Sequence, residues 1–472
     1  MLNQVVALGT LVRIRGGKRL PAGRDLQQVP NSHPYIRVRD VGSRLLPSEG
    51  LEYVPDDIFP SIARYIVETN DVVISIVGTI GALSFIDARY HKASLTENCA
   101  KLTGLDKLDS LYLYYYLSSS FGQEEIRKGT VGAVQPKLPL YNISNIQVRW
   151  PIEKSERAHV ASLLASLDDK IELNRKINQT LEQMAPALFQ AWFVDFEPVK
   201  AKVAALADGR DPLRAAMATL SGKTDAELDE LPSAAFDTLA ATAALFPKEI
   251  EESGEIPRGW EAATLGKYVT PSGVSVTAED LKGDEAYFGL EHLPRNSIAL
   301  DAWGQTAGLE SGKRRFSQGT ILFGKLRPYF HKVGVAPLDG VCSTDILALQ
   351  PRTPPWFGYA LVHLSSDALI AFAERLSNGA KMPRVGWKDL ENYPVVAPGE
   401  QLAAKFNEHV KSSVDAIREN IFEARTLATL RDSLLPKLLS GELAVTPEEQ
   451  GPERRGIEKG VREGRGIERT WD

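Results

Sequence analysis

Gly132-Ala133-Val134-Gln135-Pro136-Lys137-Leu138 and Gly379-Ala380-Lys381-Met382-Pro383-Arg384-Val385 are one loop written twice in one chain, 247 residues apart. The same offset holds on both sides of it. Upstream, Tyr112 pairs with Tyr359, and Leu117-Ser118-Ser119 with Leu364-Ser365-Ser366. Downstream, Asn145, Val148 and Pro151 pair with Asn392, Val395 and Pro398. From about residue 96 to 151, and again from 343 to 398, the correspondence runs without a gap. Two copies are too few for a solenoid, whose stacked units need at least three. The pattern predicts two similar domains, each followed by a helix, related by a pseudo-two-fold axis. Duplex DNA, with its own near-two-fold symmetry, is the partner such a chain suits.

The first copy reads as mixed α and β. Tyr35–Arg39, Asp71–Val77 and Ile146–Trp150 are short β-rich runs separated by turn residues, and a helix is expected from Leu111 to about Glu125. From residue 154 the period changes. Val160, Leu164, Leu167, Ile171, Leu181, Ala185, Leu188 and Trp192 recur at alternating spacings of three and four, with Asn174 and Asn178 in the same seam. This predicts a long coiled-coil-like helix in which the seam asparagines fix register, and Pro186 is expected to kink or break it. A second long helix is expected from Glu400 to about Leu439, its stripe carrying Phe406, Val410, Ile417, Ile421, Ala424 and Leu438. The fold class is α+β: two similar mixed domains separated by two long antiparallel coiled-coil helices. The expected boundaries are 1–153 for the first domain, 154–196 for the central helical region and 197–256 for an acidic connector in which Asp211–Leu220 and Thr224–Leu231 read as short helices. The second domain takes 257–399, the distal helical region 400–445, and a disordered tail 446–472.

Composition narrows the partner classes. The chain has 472 residues, a net charge of −6 and two cysteines, Cys99 and Cys342, at non-equivalent repeat positions. A structural disulfide or metal site is therefore not expected, and a reducing, cytoplasmic setting fits, because no apolar run has the length of a membrane span. Twelve acids against six bases fall between Glu197 and Ile256, whereas residues 1–150 carry +3 and residues 257–399 carry +1. The acidity lies in the connector, and either repeated domain is free to present a basic face.

No catalytic constellation is visible. A phosphate loop of the G-x-x-x-x-G-K-[ST] type is missing, the seven histidines lack metal-ligand spacing, and no acid cluster has the form of a nuclease centre. Thr353-Pro354-Pro355-Trp356 superficially matches the catalytic tetrapeptide of amino-methyltransferases, but it begins with Thr and has no cofactor-binding glycine motif beside it; it fits the start of a helix better. Basic loops remain. Lys325, Arg327, Tyr329, His331 and Lys332 alternate after a β-type run, suited to phosphates or guanine edges. The corresponding Ile76–Ala82 of the first copy is nearly uncharged. Further candidates for DNA contact are Arg13, Arg15, Lys18 and Arg19 around Gly16-Gly17; Lys313, Arg314 and Arg315; and Gln135, Lys137, Lys381 and Arg384 of the repeated loop. Catalytic and metal-binding residues are not expected.

Several stretches resemble the specificity subunit of type I restriction-modification systems. Ala165–Asn178 and Leu188–Pro198 resemble that family's central helical region, Gly254–Trp260 its lead-in to the second target-recognition domain, and Leu434–Leu443 the close of its distal helix. The resemblance covers residues 1 to about 445. It implies a chain that is non-catalytic by itself, with two target-recognition domains, each reading one half of a split site on double-stranded DNA. Leu167, Ile171, Asn174, Asn178, Leu181, Ile417 and Ile421 would then pack the spacer helices and dock subunits. Two modification (methyltransferase) subunits and two restriction (helicase-nuclease) subunits are the implied partners, and S-adenosylmethionine, ATP and Mg²⁺ belong to those partners, with no cofactor in this chain. Two other readings are a free-standing bipartite DNA-binding regulator, or orphan specificity subunit, and a fused methyltransferase with a degenerate motif.

Overall fold

The structure, a computed structural model, describes residues 3–251, 256–377 and 383–443. Lys381, much of the second copy of the repeated loop and the tail beyond Thr446 lie outside the described residues. The chain forms two compact units. The first comprises the residues up to Asp168 together with those from Thr429; the second is Asp169–Ala428. Both cuts fall within long helices, so each helix belongs to both units. The sequence-based boundaries at 153/154 and 399/400 instead follow the ends of the helices.

In the first unit, β1 (Asn3–Ala7) pairs antiparallel with β6 (Gln147–Pro151), closing the domain from its two ends. An antiparallel sheet runs in the order β2 (Arg13–Gly16), β5 (Cys99–Thr103), β3 (Val72–Ser75), β4 (Leu83–Phe85). The run at Tyr35 is strand only over Pro34–Ile36 and then turns into a 3-10 segment. Two helices, α1 (Lys107–Ser118) and α2 (Ser120–Gly129), stand where one was expected. The break is local chemistry: the Ser119 hydroxyl accepts the Gly122 amide at 3.3 Å and caps α2. A side chain at Gly122 would begin 2.3 Å from the Tyr116 carbonyl, so glycine permits the tight junction.

The second unit repeats this frame: β7 (Glu261–Thr264) pairs with β12 (Pro394–Ala397), and a sheet runs β8 (Val269–Pro271), β11 (Ile346–Pro351), β9 (Ile321–Gly324), β10 (Val333–Val335). The duplication persists at single bonds. Tyr112 Oη donates to the Arg149 carbonyl at 3.0 Å, and Tyr359 Oη to that of Val396 at 3.0 Å. A Cβ on Gly9 would lie 2.9 Å from Ser144 Cβ, and one on Gly266 would lie 2.9 Å from Glu391 Cβ.

Helix α3 (Lys154–Phe189) continues through Pro186 and ends in a π-type turn at Gln190–Val194; the expected break at the proline does not occur, and the irregularity comes four residues later. The acidic connector is a small helical module of α4 (Glu197–Ala207), α5 (Pro212–Ser221), α6 (Asp225–Asp229) and α7 (Ser233–Ala244), in which α5 and α6 stand where short helices were expected. Ala216, Met217, Leu228 and Ala243 form its core. Thr353–Trp356 is the 3-10 lead-in to α8 (Phe357–Leu364), with Trp356 buried, as its prolines suggested. Helix α9 (Asp367–Ser377) follows, and α10 (Glu400–Ser440) closes the described chain. Among the described residues no single helix is long and apolar enough to cross a membrane; the bent pair around Ser365 passes by length and composition only, and its apolar residues are largely buried in the second domain.

The helices pack as the seam predicted. In the first unit Val160, Leu164, Leu438 and Leu439 enter the domain core, each such burial contributing roughly 1.5–3 kcal/mol. Asp168 there accepts from Tyr115 Oη at 2.7 Å and Arg431 Nη1 at 2.6 Å. In the second unit the helices run antiparallel: Asn174 meets Glu423 at 2.7 Å, and Asn420 donates to Asn178 Oδ1 at 2.8 Å. Ile171, Ile417 and Ile421 are buried in the seam, with Leu167 and Leu181 half-buried. Phe189, Trp192 and Phe193 of the α3 end pack with Trp260, Tyr359 and Phe406 into the second core.

Candidate nucleic-acid interface

In the second domain, β9 delivers Lys325 to the mouth of a loop pair. The Lys325 amide donates to the Asp345 carbonyl at 2.8 Å, and its carbonyl accepts from the Val385 amide at 3.1 Å. Leu326 bridges Arg384. The first domain has the same construction: Ile76 N to Asn98 O at 2.8 Å, Leu138 N to Ile76 O at 2.9 Å, and a bridge between Val77 and Lys137. This superposes Lys325 on Ile76 and Arg327 on Gly78.

Three cations gather at the second loop pair. Arg384 is exposed and ion-paired with Asp345. Lys325 is half-buried, and its side chain makes no hydrogen bond with the described residues. Burial, with Arg384 and Arg314 adding repulsion, pulls its amine below the ordinary lysine range. Among the described residues one carboxylate, Asp345, faces Lys325, Arg384 and Arg314, so positive charge is in excess there.

Arg327 adds a backbone argument. Its φ of 51° lies in the left-handed region, while Gly78, its equivalent, has φ 85°. Pro328 follows Arg327 and excludes the right-handed helical region for it. An arginine kept where glycine suffices in the sister domain is strain of the kind that marks functional sites. Arg327 and Tyr329 project into solvent.

The expected strand-like alternation beyond Arg327 is not there. A 3-10 turn at Pro328–Phe330 reverses the direction of the side chains. His331 turns inward onto the Ser365 carbonyl at 2.8 Å, and Lys332 onto that of Leu290. Lys313, Arg314 and Arg315 are also corrected as a surface run. Their strand, Lys313–Phe316, is interior in a five-stranded sheet, which occupies the cations. Lys313 is buried and donates to Ser311 Oγ at 2.6 Å, Arg314 donates to the Ser272 carbonyl at 2.9 Å, and Arg315 pairs with Glu285 at 2.7 Å. Of the three, only Arg314 lies beside the loop cluster.

In the first domain Gln135 and Lys137 are exposed on a tip whose ends are tied by reciprocal Val131–Lys137 backbone bonds of 2.9 Å. Lys18 and Arg19 are exposed, with Arg19 on Glu97 at 2.7 Å; Arg13 and Arg15 line a groove. Sequence reasoning missed Asp345. Its alignment with Asn98 in the repeat was the available signal, since a neutral residue there accompanies the uncharged loop.

Residues 2–183 match the family model described as type I restriction modification DNA specificity domain. The HindI type I restriction enzyme specificity subunit of Haemophilus influenzae is 28% identical over 339 residues, covering 68% of this chain and 73% of that protein. The MjaIX specificity subunit of Methanocaldococcus jannaschii is 23% identical over 351 residues, covering 72% and 70%. The crystal structure of a type I restriction-modification S subunit from M. genitalium shares the fold, with a TM-score of 0.52 and 17% identity over 92% of this chain and 96% of that one. Residues 2–183 thus match a type I restriction-modification DNA specificity domain, and over 68–72% of its length the chain is similar to specificity subunits of type I restriction enzymes.

Proposed function

We propose that this chain is the DNA-recognition subunit of a type I restriction-modification complex, acting in the cytoplasm. Each domain reads one half of a bipartite duplex site, and α3 and α10 set the spacing between the halves. The observation that carries this reading is one frame built twice with different chemistry at the equivalent loop: Lys325 and Arg327 in one domain, Ile76 and Gly78 in the other. Divergent loops on a shared frame are how two domains come to read two sequences.

Two modification subunits dock on the helical region and two restriction subunits join them. Leu173, Ile177 and Met184 support a protein partner there, since they form an exposed apolar stripe on α3 apart from its packed seam. S-adenosylmethionine, ATP and Mg²⁺ belong to the partners, and methyl transfer and cleavage are their chemistry. Expression of the chain with a modification subunit, followed by methylome sequencing, tests the reading. A two-part methylated motif with a fixed spacer is expected, and methyl transfer by the chain alone would overturn it.

A further inference from the structure

The first domain has a groove of about 540 Å³ whose lining includes Arg13, Arg15, Arg64, Tyr65, Glu68 and Lys101. Strand geometry explains its charge. Alternate residues of a strand share a face, so Ile14 packs against the core while Arg13 and Arg15 face outward. Across the pair, Arg15 stands opposite Lys101 and Arg13 opposite Thr103. Like charges directly opposite one another destabilise a strand pair. Arg64 joins them from the neighbouring turn, its guanidinium 4.9 Å from the Tyr65 ring centre and 2.8 Å from the Tyr65 hydroxyl.

The countercharge is incomplete. Glu68 lies at the rim and Asp71 is 3.5 Å from Lys101, so two carboxylates face four cations. The side chains of Arg13 and Arg15 make no hydrogen bond or ion pair with the described residues. The frame itself does not require them. In the second domain Thr270 stands opposite Gln350 where Arg13 faces Thr103, and Ser272 meets Ala348 where Arg15 meets Lys101. Leu140, three residues beyond the exposed 131–137 loop, also lines the groove.

We propose that this groove grips the sugar-phosphate backbone of the duplex next to the half-site read by the first domain. The proposal rests on the DNA-recognition reading above. Cations set in a concave strand face suit phosphates, whereas base edges are reached by projecting loops.

The test uses the full chain assembled with its modification subunits. Duplex affinity is measured from 50 to 200 mM salt for the wild type, Arg13→Gln/Arg15→Gln, Arg64→Gln, and the control Lys107→Gln, an exposed lysine elsewhere on the domain. Removing one phosphate interaction should lower the slope of log K against log salt by about 0.9, a three- to fourfold smaller affinity ratio across that range. The weakening should be uniform across half-site variants, with the control unchanged. An unchanged slope in the groove variants, a weakening confined to particular half-site bases, or saturable micromolar binding of a mononucleotide to the wild type abolished by Arg64→Gln would each overturn the proposal. A wild-type complex that binds no duplex at any salt would instead refute the underlying reading.

Discussion

Arg327 offers a perturbation in which stability should barely change while function is lost. Its left-handed backbone, φ 51°, costs a side-chain-bearing residue roughly 1–2 kcal/mol. Arg327→Gly removes that strain but raises the entropy of the unfolded chain by about 0.4–1 kcal/mol. It also removes the solvent-exposed approach of the guanidinium to the Phe330 ring centre, at 5.8 Å, worth about 0.5 kcal/mol. The net effect on folding runs from about 0.5 kcal/mol of destabilisation to about 1 kcal/mol of stabilisation. Binding should fall by more. If Arg327 pairs bidentately with a guanine, its removal costs about 1–3 kcal/mol, a reduction of roughly 5- to 150-fold. Arg327→Ala keeps the strain and removes the same guanidinium, so it should bind as poorly as the glycine variant and be the less stable of the two. Denaturant titration of both variants gives the stability order. Anisotropy against a half-site library at two salt concentrations gives the readout, with one half-site relaxed and the other preference intact. A glycine variant less stable than the alanine variant would refute the strain argument. Unchanged affinity and preference in both would show that this loop faces solvent in the complex.

Other expectations follow from the same geometry. Removing one heptad from each of α3 and α10 should shorten the preferred spacer by at most about three base pairs, because seven residues span about 10 Å and a base pair about 3.4 Å; an active variant with altered half-sites and an unchanged spacer would refute the spacing role. Leu173→Glu/Ile177→Glu, placed on exposed positions, should leave thermal stability unchanged and abolish co-purification with the modification subunit. His363 is buried, its Nε2 has no hydrogen-bond partner among the described residues, and burial depresses its pKa from 6.5 to about 3. The depressed value means that its neutral form supports folding fully above about pH 6.5 and that this support falls away below it. By pH 5 the loss is about 2 kcal/mol, at 1.36 kcal/mol per unit. His363→Leu should flatten that acid-side decline in a denaturation series from pH 7 to 5, and an unaltered decline would rule His363 out as its source.

What the sequence disclosed and what it hid divide along a physical line. The repeat exposed the frame because backbone pairing and core packing demand the same residue type at the same place in both copies: Tyr112 and Tyr359 each tie a helix to the closing strand. The long helices were legible because their seam repeats over many turns. Of the helical module at 197–246 only the two middle helices were legible, because its elements are short and its core rests on small side chains such as Ala216 and Ala243, which leave little periodic contrast. Charges were the least legible, since their meaning depends on what faces them. Lys313 and Arg15 look alike in a basic run, yet one is buried against Ser311 and the other stands exposed opposite Lys101. Register, strand position within a sheet and the direction of a turn decide that difference, and none of the three is a property of the local sequence. The comparison that resolves it is internal: where one copy has a cation and the other a neutral residue on the same backbone, the fold cannot be the reason for the cation. By that criterion Arg13, Arg15, Lys325 and Arg327 are the cations to test first for DNA contact, whereas Lys137 and Arg384, basic in both copies, belong equally to the corner that the duplicated loop builds.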